Sequence, residues 1–270
     1  MIPAFNRMNH VVVRRLALAA GAALCMACGT KEAPTGLQPS GPTARIRFVN
    51  LINDPARIPV NAILETLPFG VNLGYAGSTP SSLPAPSTAN YSAILAGDRT
   101  LVLKKTADTT VTVASFTLTV AADEDRTVYA IGGTGGGAVT SFSTKDDNAT
   151  AIPAGQVRVR VVNMSPAAGA IDAFVTAPNA DLSTATPVAS GLASQSASVY
   201  VNIPPLSAYQ FRAVPAGTPA ANRSTSVIVS VTPTDTPTAP PLSAGTGRTF
   251  VVADKATGGS PLIAFVLTDR

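Results

Sequence analysis

Hydrophobic and polar positions alternate in runs too short for helices along most of this chain. Arg45-Ile46-Arg47-Phe48-Val49-Asn50 and Arg158-Val159-Arg160-Val161-Val162-Asn163 alternate charged and apolar residues, as a half-buried strand does. Thr109-Thr110-Val111-Thr112-Val113 is a β-branched run that favours strand over helix. The same reading predicts strands near 45–50, 60–65, 71–75, 89–95, 100–104, 110–120, 127–131 and 138–143. A second set follows near 157–163, 171–176, 196–203, 208–214, 226–231, 249–253 and 262–267. Seven or so short strands with Gly and Pro turns between them, in each stretch of about 100–115 residues, is the pattern of a β-sandwich.

The two sets are copies of one unit. Beyond the opening strands, Tyr91-Ser92-Ala93-Ile94 corresponds to Tyr200-Val201-Asn202-Ile203, and Arg126-Thr127-Val128-Tyr129-Ala130 to Arg248-Thr249-Phe250-Val251-Val252. The spacing between matching segments drifts, which places loop insertions in the second copy, chiefly at 232–241. The fold class expected is all-β: two tandem Ig-like β-sandwiches over 44–147 and 156–270, joined by a linker at 148–155.

The N-terminus breaks this pattern. Arg7, Arg14 and Arg15 precede Leu16–Ala27, an uncharged apolar run of 12 residues. That is the length of a signal-peptide core and short of the ~20 residues a transmembrane helix needs. The run ends at Ala27-Cys28-Gly29, which resembles a bacterial lipobox. The expectation is a lipoprotein signal peptide over 1–27 and diacylglycerol on the Cys28 thiol; the alternative is an ordinary secreted protein cut by the general signal peptidase. Residues 28–43 hold Pro34, Pro39, Pro42, Gly36 and Gly41 with little to bury, and read as a flexible tether. Thr30, where Asp would favour inner-membrane retention, points to the outer membrane if the host is Gram-negative. Partners then begin with the membrane itself, through the lipid.

Cleavage changes the chemistry on offer. His10, the single histidine, leaves with the leader, as does Cys25, while Cys28 becomes lipidated. Ser-His-Asp and Cys-His catalysis, His-bound zinc and disulfides are then excluded. The formal charge of +4 also shrinks, because the leader takes three of 19 basic residues and none of the 15 acids, leaving about +1. The remaining basic residues are scattered, so they read as solvated surface charges and not as a nucleic-acid patch.

A few residues invite functional readings beside plainer ones. Gly132-Gly133-Thr134-Gly135-Gly136-Gly137 lacks the Gly-Lys-Ser/Thr ending of a phosphate loop and reads as a hairpin turn. Asp123-Glu124-Asp125 with Asp146-Asp147 could ligate Ca²⁺ or stand as solvated acidic loops. Tyr91 and Tyr200 could stack on a sugar or pack within the fold. Asp172 could bind a ligand or cap local backbone amides.

Arg158–Val175 (RVRVVNMSPAAGAIDAFV) resembles the opening of a bacterial family, domain of unknown function 4397. Its members begin with such a strand, an Asn/His-x-Ser-Pro-like turn and an Asp-bearing strand. The closing Leu262-Ile263-Ala264-Phe265-Val266-Leu267-Thr268-Asp269 also fits, and the resemblance extends loosely over both copies, 44–270. The first copy departs from it with Asn53-Asp54-Pro55 at the turn and Asn61 in place of Asp172. The resemblance implies exported or lipid-anchored β domains and carries no catalytic residue, cofactor or metal. The function expected is a non-catalytic structural or interaction module of the cell envelope with an envelope protein or glycan as partner. A carbohydrate-binding or adhesion lipoprotein, and last a carboxylate- or metal-dependent hydrolase, are the alternatives.

Overall fold

The computed structural model describes residues 41–80, 90–233 and 241–269. Cys28, the leader and most of the tether lie outside them. The chain is all-β. Its first half runs β1 (Thr43–Ile52), β2 (Val60–Leu64), β3 (Leu67–Leu73), β4 (Ser92–Leu95), β5 (Gly97–Lys105), β6 (Asp108–Val120), β7 (Asp125–Gly132) and β8 (Val139–Asp146). These form two four-stranded sheets, ordered β4-β1-β7-β8 and β3-β2-β5-β6. The second half repeats the plan. It runs β9 (Val157–Asn163), β10 (Ile171–Thr176), β11 (Ala189–Leu192), β12 (Ser196–Ala197), β13 (Val201–Ile203), β14 (Gln210–Pro215), β15 (Val229–Val231), β16 (Gly247–Ala253) and β17 (Ile263–Thr268). Its sheets are β12-β9-β16-β17, with β13 also on β9, and β11-β10-β14-β15.

In each half the opening strand lies parallel to the penultimate one, β1 on β7 and β9 on β16. One face of each such pair fills its own sandwich. Ile46 and Phe48 of β1 join Leu101, Leu103 and Val128 in the first core. Val159 and Val161 of β9 join Phe211 and Phe250 in the second, where the two Phe rings stack at 4.8 Å and Tyr209 meets Phe250 edge-on at 5.7 Å. A latch repeats at the strand ends. The Asn50 amide donates to the carbonyls of Leu73 and Gly74, and the Asn163 amide to those of Gly169 and Leu192.

Several elements depart from the sequence reading. The strand expected over 196–203 is broken into β12 and β13. β11 carries no local strand signal, because Ala189-Ser190-Gly191-Leu192 has no β-branched residue; its pairing with β10 makes it a strand. β15 is shorter than expected and begins only at Val229, with Ser226 capping the 3₁₀ segment Ala220–Thr225 ahead of it. β3 starts earlier, at Leu67, and tolerates Pro68 because it is an edge strand. The largest departure concerns β1 and β9, expected to be half-buried. β9 is buried along its whole length, and so is β1 beyond Arg45. Their polar-bearing faces are covered as well, by each other's sandwich.

Candidate functional site: the seam between the two sandwiches

The β4-β1-β7-β8 sheet and its counterpart pack face to face. Val49, Leu51, Tyr129 and Ile131 from the first meet Val162, Met164, Val251, Ala253 and Leu267 from the second in a third apolar core. At one end of this seam lies a buried polar cluster built twice over. Arg47 donates through Nε to Thr127 Oγ1 (3.1 Å), and Arg160 through Nε to Thr249 Oγ1 (2.8 Å). Each guanidinium then crosses the seam. Arg47 Nη2 reaches Asp269 Oδ1 at 2.8 Å, and Arg160 Nη2 reaches Asp146 Oδ1. Arg47 Nη1 donates to the Thr268 carbonyl and Arg160 Nη1 to that of Lys145.

The aspartates are answered in the same doubled way. Asp146 Oδ2 accepts from Thr127 (2.5 Å) and Tyr91 (2.8 Å); Asp269 Oδ2 accepts from Thr249 (2.5 Å) and Tyr200 (3.2 Å). Each arginine sits over its own repeat's tyrosine ring, at 4.6 Å for Arg47 on Tyr91 and 4.7 Å for Arg160 on Tyr200. All four charged side chains are nearly inaccessible, at 3% exposure or less. Burial alone would depress the Arg47 guanidinium, but Asp269, Tyr91 and Asp146 outweigh it and hold it above its ordinary value; Arg160 is held up in the same way, chiefly by Asp146. Both arginines are therefore fixed cations. This cluster is a clasp, with its acids bonded and its bases locked.

That answers the basic residues read as solvated. Arg47, Arg158, Arg160, Arg212 and Arg248 are buried. It also alters the acidic loops. Asp123 is exposed, but Glu124 and Asp125 are buried. Asp125 takes a bidentate bond from Arg45 (2.6 Å) and Glu124 one from Arg126 (2.7 Å). β7–β8 pairing does place Asp125 opposite Asp146, yet each faces its own arginine. Among the described residues no group of three acidic side chains gathers as a metal site. The 148–155 segment is tied down by Arg158, which donates to the carbonyls of Asp147 and Ala151. Tyr91 and Tyr200 lie in the clasp. Asp172 accepts from the backbone amides of Gly191 and Gly217, and Asn61 accepts from that of Asn72 in the other copy. The glycine run forms the β7–β8 turn, held by Arg57 through the carbonyls of Gly133 and Gly137.

The repeated Arg-x-Arg, Tyr, Thr and terminal Asp were the signal for the clasp. They were visible singly; the exchange across the repeats was not, because each arginine bonds the aspartate of the other copy.

Tyr129 is fully buried in the seam, and its hydroxyl has no hydrogen-bond partner among the described residues. An unpaired buried hydroxyl costs stability, so Tyr129→Phe is expected to be neutral or stabilising by up to ~1 kcal/mol. Urea titration checks this; a clear loss of stability would mean the hydroxyl is bonded after all.

At its other end the seam opens around a cavity of about 440 Å³. The sandwiches are pinned beside it by Asn53, which donates to the Lys255 carbonyl (2.7 Å), and by Tyr75, which donates to that of Asp254. The Tyr75 hydroxyl is pushed up to about 12, mainly by burial, with the Asn53 bond opposing and Asp254 adding. Tyr91, Tyr129 and Tyr200 are raised too, again by burial first. A raised folded value stabilises fully below pH ~10, where both states are protonated, and that stability is lost as pH rises to 12. Tyr75 alone should contribute a loss on the order of 2 kcal/mol. Denaturant midpoints at pH 9, 10.5 and 12 should therefore fall; a flat profile would contradict the burial of these hydroxyls.

The fold and seam define a class: an all-β protein whose repeated unit is an eight-stranded sandwich, or a close variant of it, joined face to face to its copy. Residues 44–174 match the model of the family described as Domain of unknown function (DUF4397). The match takes in the first sandwich and reaches β10 of the second, agreeing with the resemblance seen at the opening strands. No curated protein matches the chain.

Proposed function

We propose that this is a lipid-anchored cell-envelope protein whose folded part is a non-catalytic structural or interaction module. The observation that carries it is the clasp: a buried cluster of ionisable side chains is consumed in joining the sandwiches, with Asp146 and Asp269 each bonded by arginine, threonine and tyrosine. An acid or base spent in this way is poorly placed to exchange protons with a substrate. Two sandwiches fused by an apolar seam offer a stiff body suited to holding a surface at a distance from a membrane. The lipid on Cys28 and a tether over 28–43 would supply the attachment, in the outer membrane of a Gram-negative host, with an envelope protein or glycan as partner.

Cys28→Ala is the test. The wild-type chain should incorporate labelled palmitate and sediment with membranes, while the variant should lose the label and move to the soluble exported fraction. Unchanged sedimentation and labelling would sink the anchor. A carbohydrate-binding role is the second reading, and the cavity at the open end of the seam is what favours it.

A further inference from the structure

We propose that the cavity at the open end of the seam binds an uncharged saccharide unit; this deepens the reading of the chain as an interaction module. The cavity belongs to neither sandwich alone. β7, the β7–β8 turn and β8 supply one wall, and the turns after β9, β11 and β16 supply the other. Its volume of about 440 Å³ falls within the range of small-molecule sites and suits one or two sugar rings.

The lining chemistry selects the ligand class. Ile131 and Met164, which close the end of the apolar seam, give it a hydrophobic floor. Thr134, Thr140, Gln195 and Thr257 stand around it, all exposed, and among the described residues none of these four side chains is bonded to another part of the fold. They offer hydroxyl and amide groups that both donate and accept. No arginine or lysine is among the described residues lining the cavity, so an anion would find no counter-charge. The one carboxylate, Asp254, is already occupied: it accepts from Ser165 Oγ, the Ala167 amide (3.3 Å) and the Gly259 amide (2.9 Å). With three donors on it and only 7% of the residue exposed, little of its charge faces the cavity. A buried charge without a partner is costly, whereas a sugar ring presents an apolar C–H face to the floor and hydroxyls to the rim.

Two backbone features shape the mouth. Gln195 holds a left-handed conformation (φ 53°), unusual for a side-chain-bearing residue, in the turn between β11 and β12. Gly258 (φ +81°) brings the β16–β17 turn against Thr134; a Cβ there would meet Thr134 Oγ1 at 3.2 Å. Glycine thus permits the close approach of the two walls.

The test is saturation-transfer NMR on the detergent-solubilised full chain. The probes are cellobiose, maltose and N,N′-diacetylchitobiose, with galacturonic acid and glucosamine as charged counterparts. At least one neutral disaccharide should bind at about 10 mM or below, and more tightly than either charged sugar. Thr140→Trp, which fills the cavity from β8, should weaken that binding roughly tenfold or more, and Thr257→Trp should do the same from the opposite wall. All these positions are exposed, so unfolding curves should match the wild type. Should one variant be destabilised, the other carries the comparison. No binding by any neutral disaccharide, binding that survives both tryptophans, or equal binding of the charged sugars would overturn the proposal. Membrane release by Cys28→Ala bears on the anchor alone, so the two readings fail separately.

Discussion

Replacing Asp146 with alanine should destabilise the fold by about 3–5 kcal/mol, the range for breaking a buried ion pair from one side. In a folded body of this size that lowers the melting temperature by roughly 6–20 °C. The reason is what remains behind. Asp146 accepts from Thr127, Thr144, Tyr91 and Arg160, so its loss strands the Arg160 guanidinium inside the seam with a carbonyl and hydroxyls for company. Its sequence neighbour is the control. The Asp147 carboxylate is 47% exposed and lies 3.3 Å from Arg158, so Asp147→Ala should cost about 1 kcal/mol or less. Equal costs in urea titrations would show that the clasp contributes no more than a surface pair. Removing both members, as Asp146→Ala with Arg160→Met, should recover part of the loss, because the uncompensated charge goes too.

Val251→Asp should have the other large effect. Val251 is fully buried on β16, between Val162 of β9 and Phe265 of β17, in the apolar part of the seam. A carboxylate there would stand among the apolar side chains of the seam and should cost about 4 kcal/mol or more. The more telling result is the shape of the transition. With the seam intact, the two sandwiches should unfold together in one calorimetric step. With Val251→Asp, that step should split into two. A single transition at the wild-type temperature would mean the seam does not couple the halves.

The strand content was legible because it rests on local pattern. The two-residue alternation of β1 and β9, the β-branched run of β6 and the Gly and Pro turns follow from backbone preference and one-sided burial. β11 was not legible, because its pairing with β10 comes from tertiary contact. The clasp was half-legible. Arg45, Arg47, Arg158 and Arg160 stood out as a repeated pattern, but alternation with apolar residues reads as one wet face. Only the second sandwich makes that face dry, and a contact between residues some 220 positions apart, such as Arg47 with Asp269, leaves no periodic trace in either segment. The cavity lining was invisible for the same reason: Thr134, Thr140, Gln195 and Thr257 are ordinary turn and edge residues until two repeats bring them together.

The parallel pairing of β1 with β7 has a mechanical consequence. β1 is the first strand after the proposed tether, and it is held along eight consecutive residue pairs from Arg45–Asp125 to Ile52–Gly132. Tension entering the chain at residue 42 would pull β1 along its own axis. The ladder bonds lie across that axis, so they would share the load in shear and not open one after another. With β4 antiparallel on its other side and Arg47 anchored across the seam to Asp269, the strand that follows the proposed tether would also be firmly set against being drawn out.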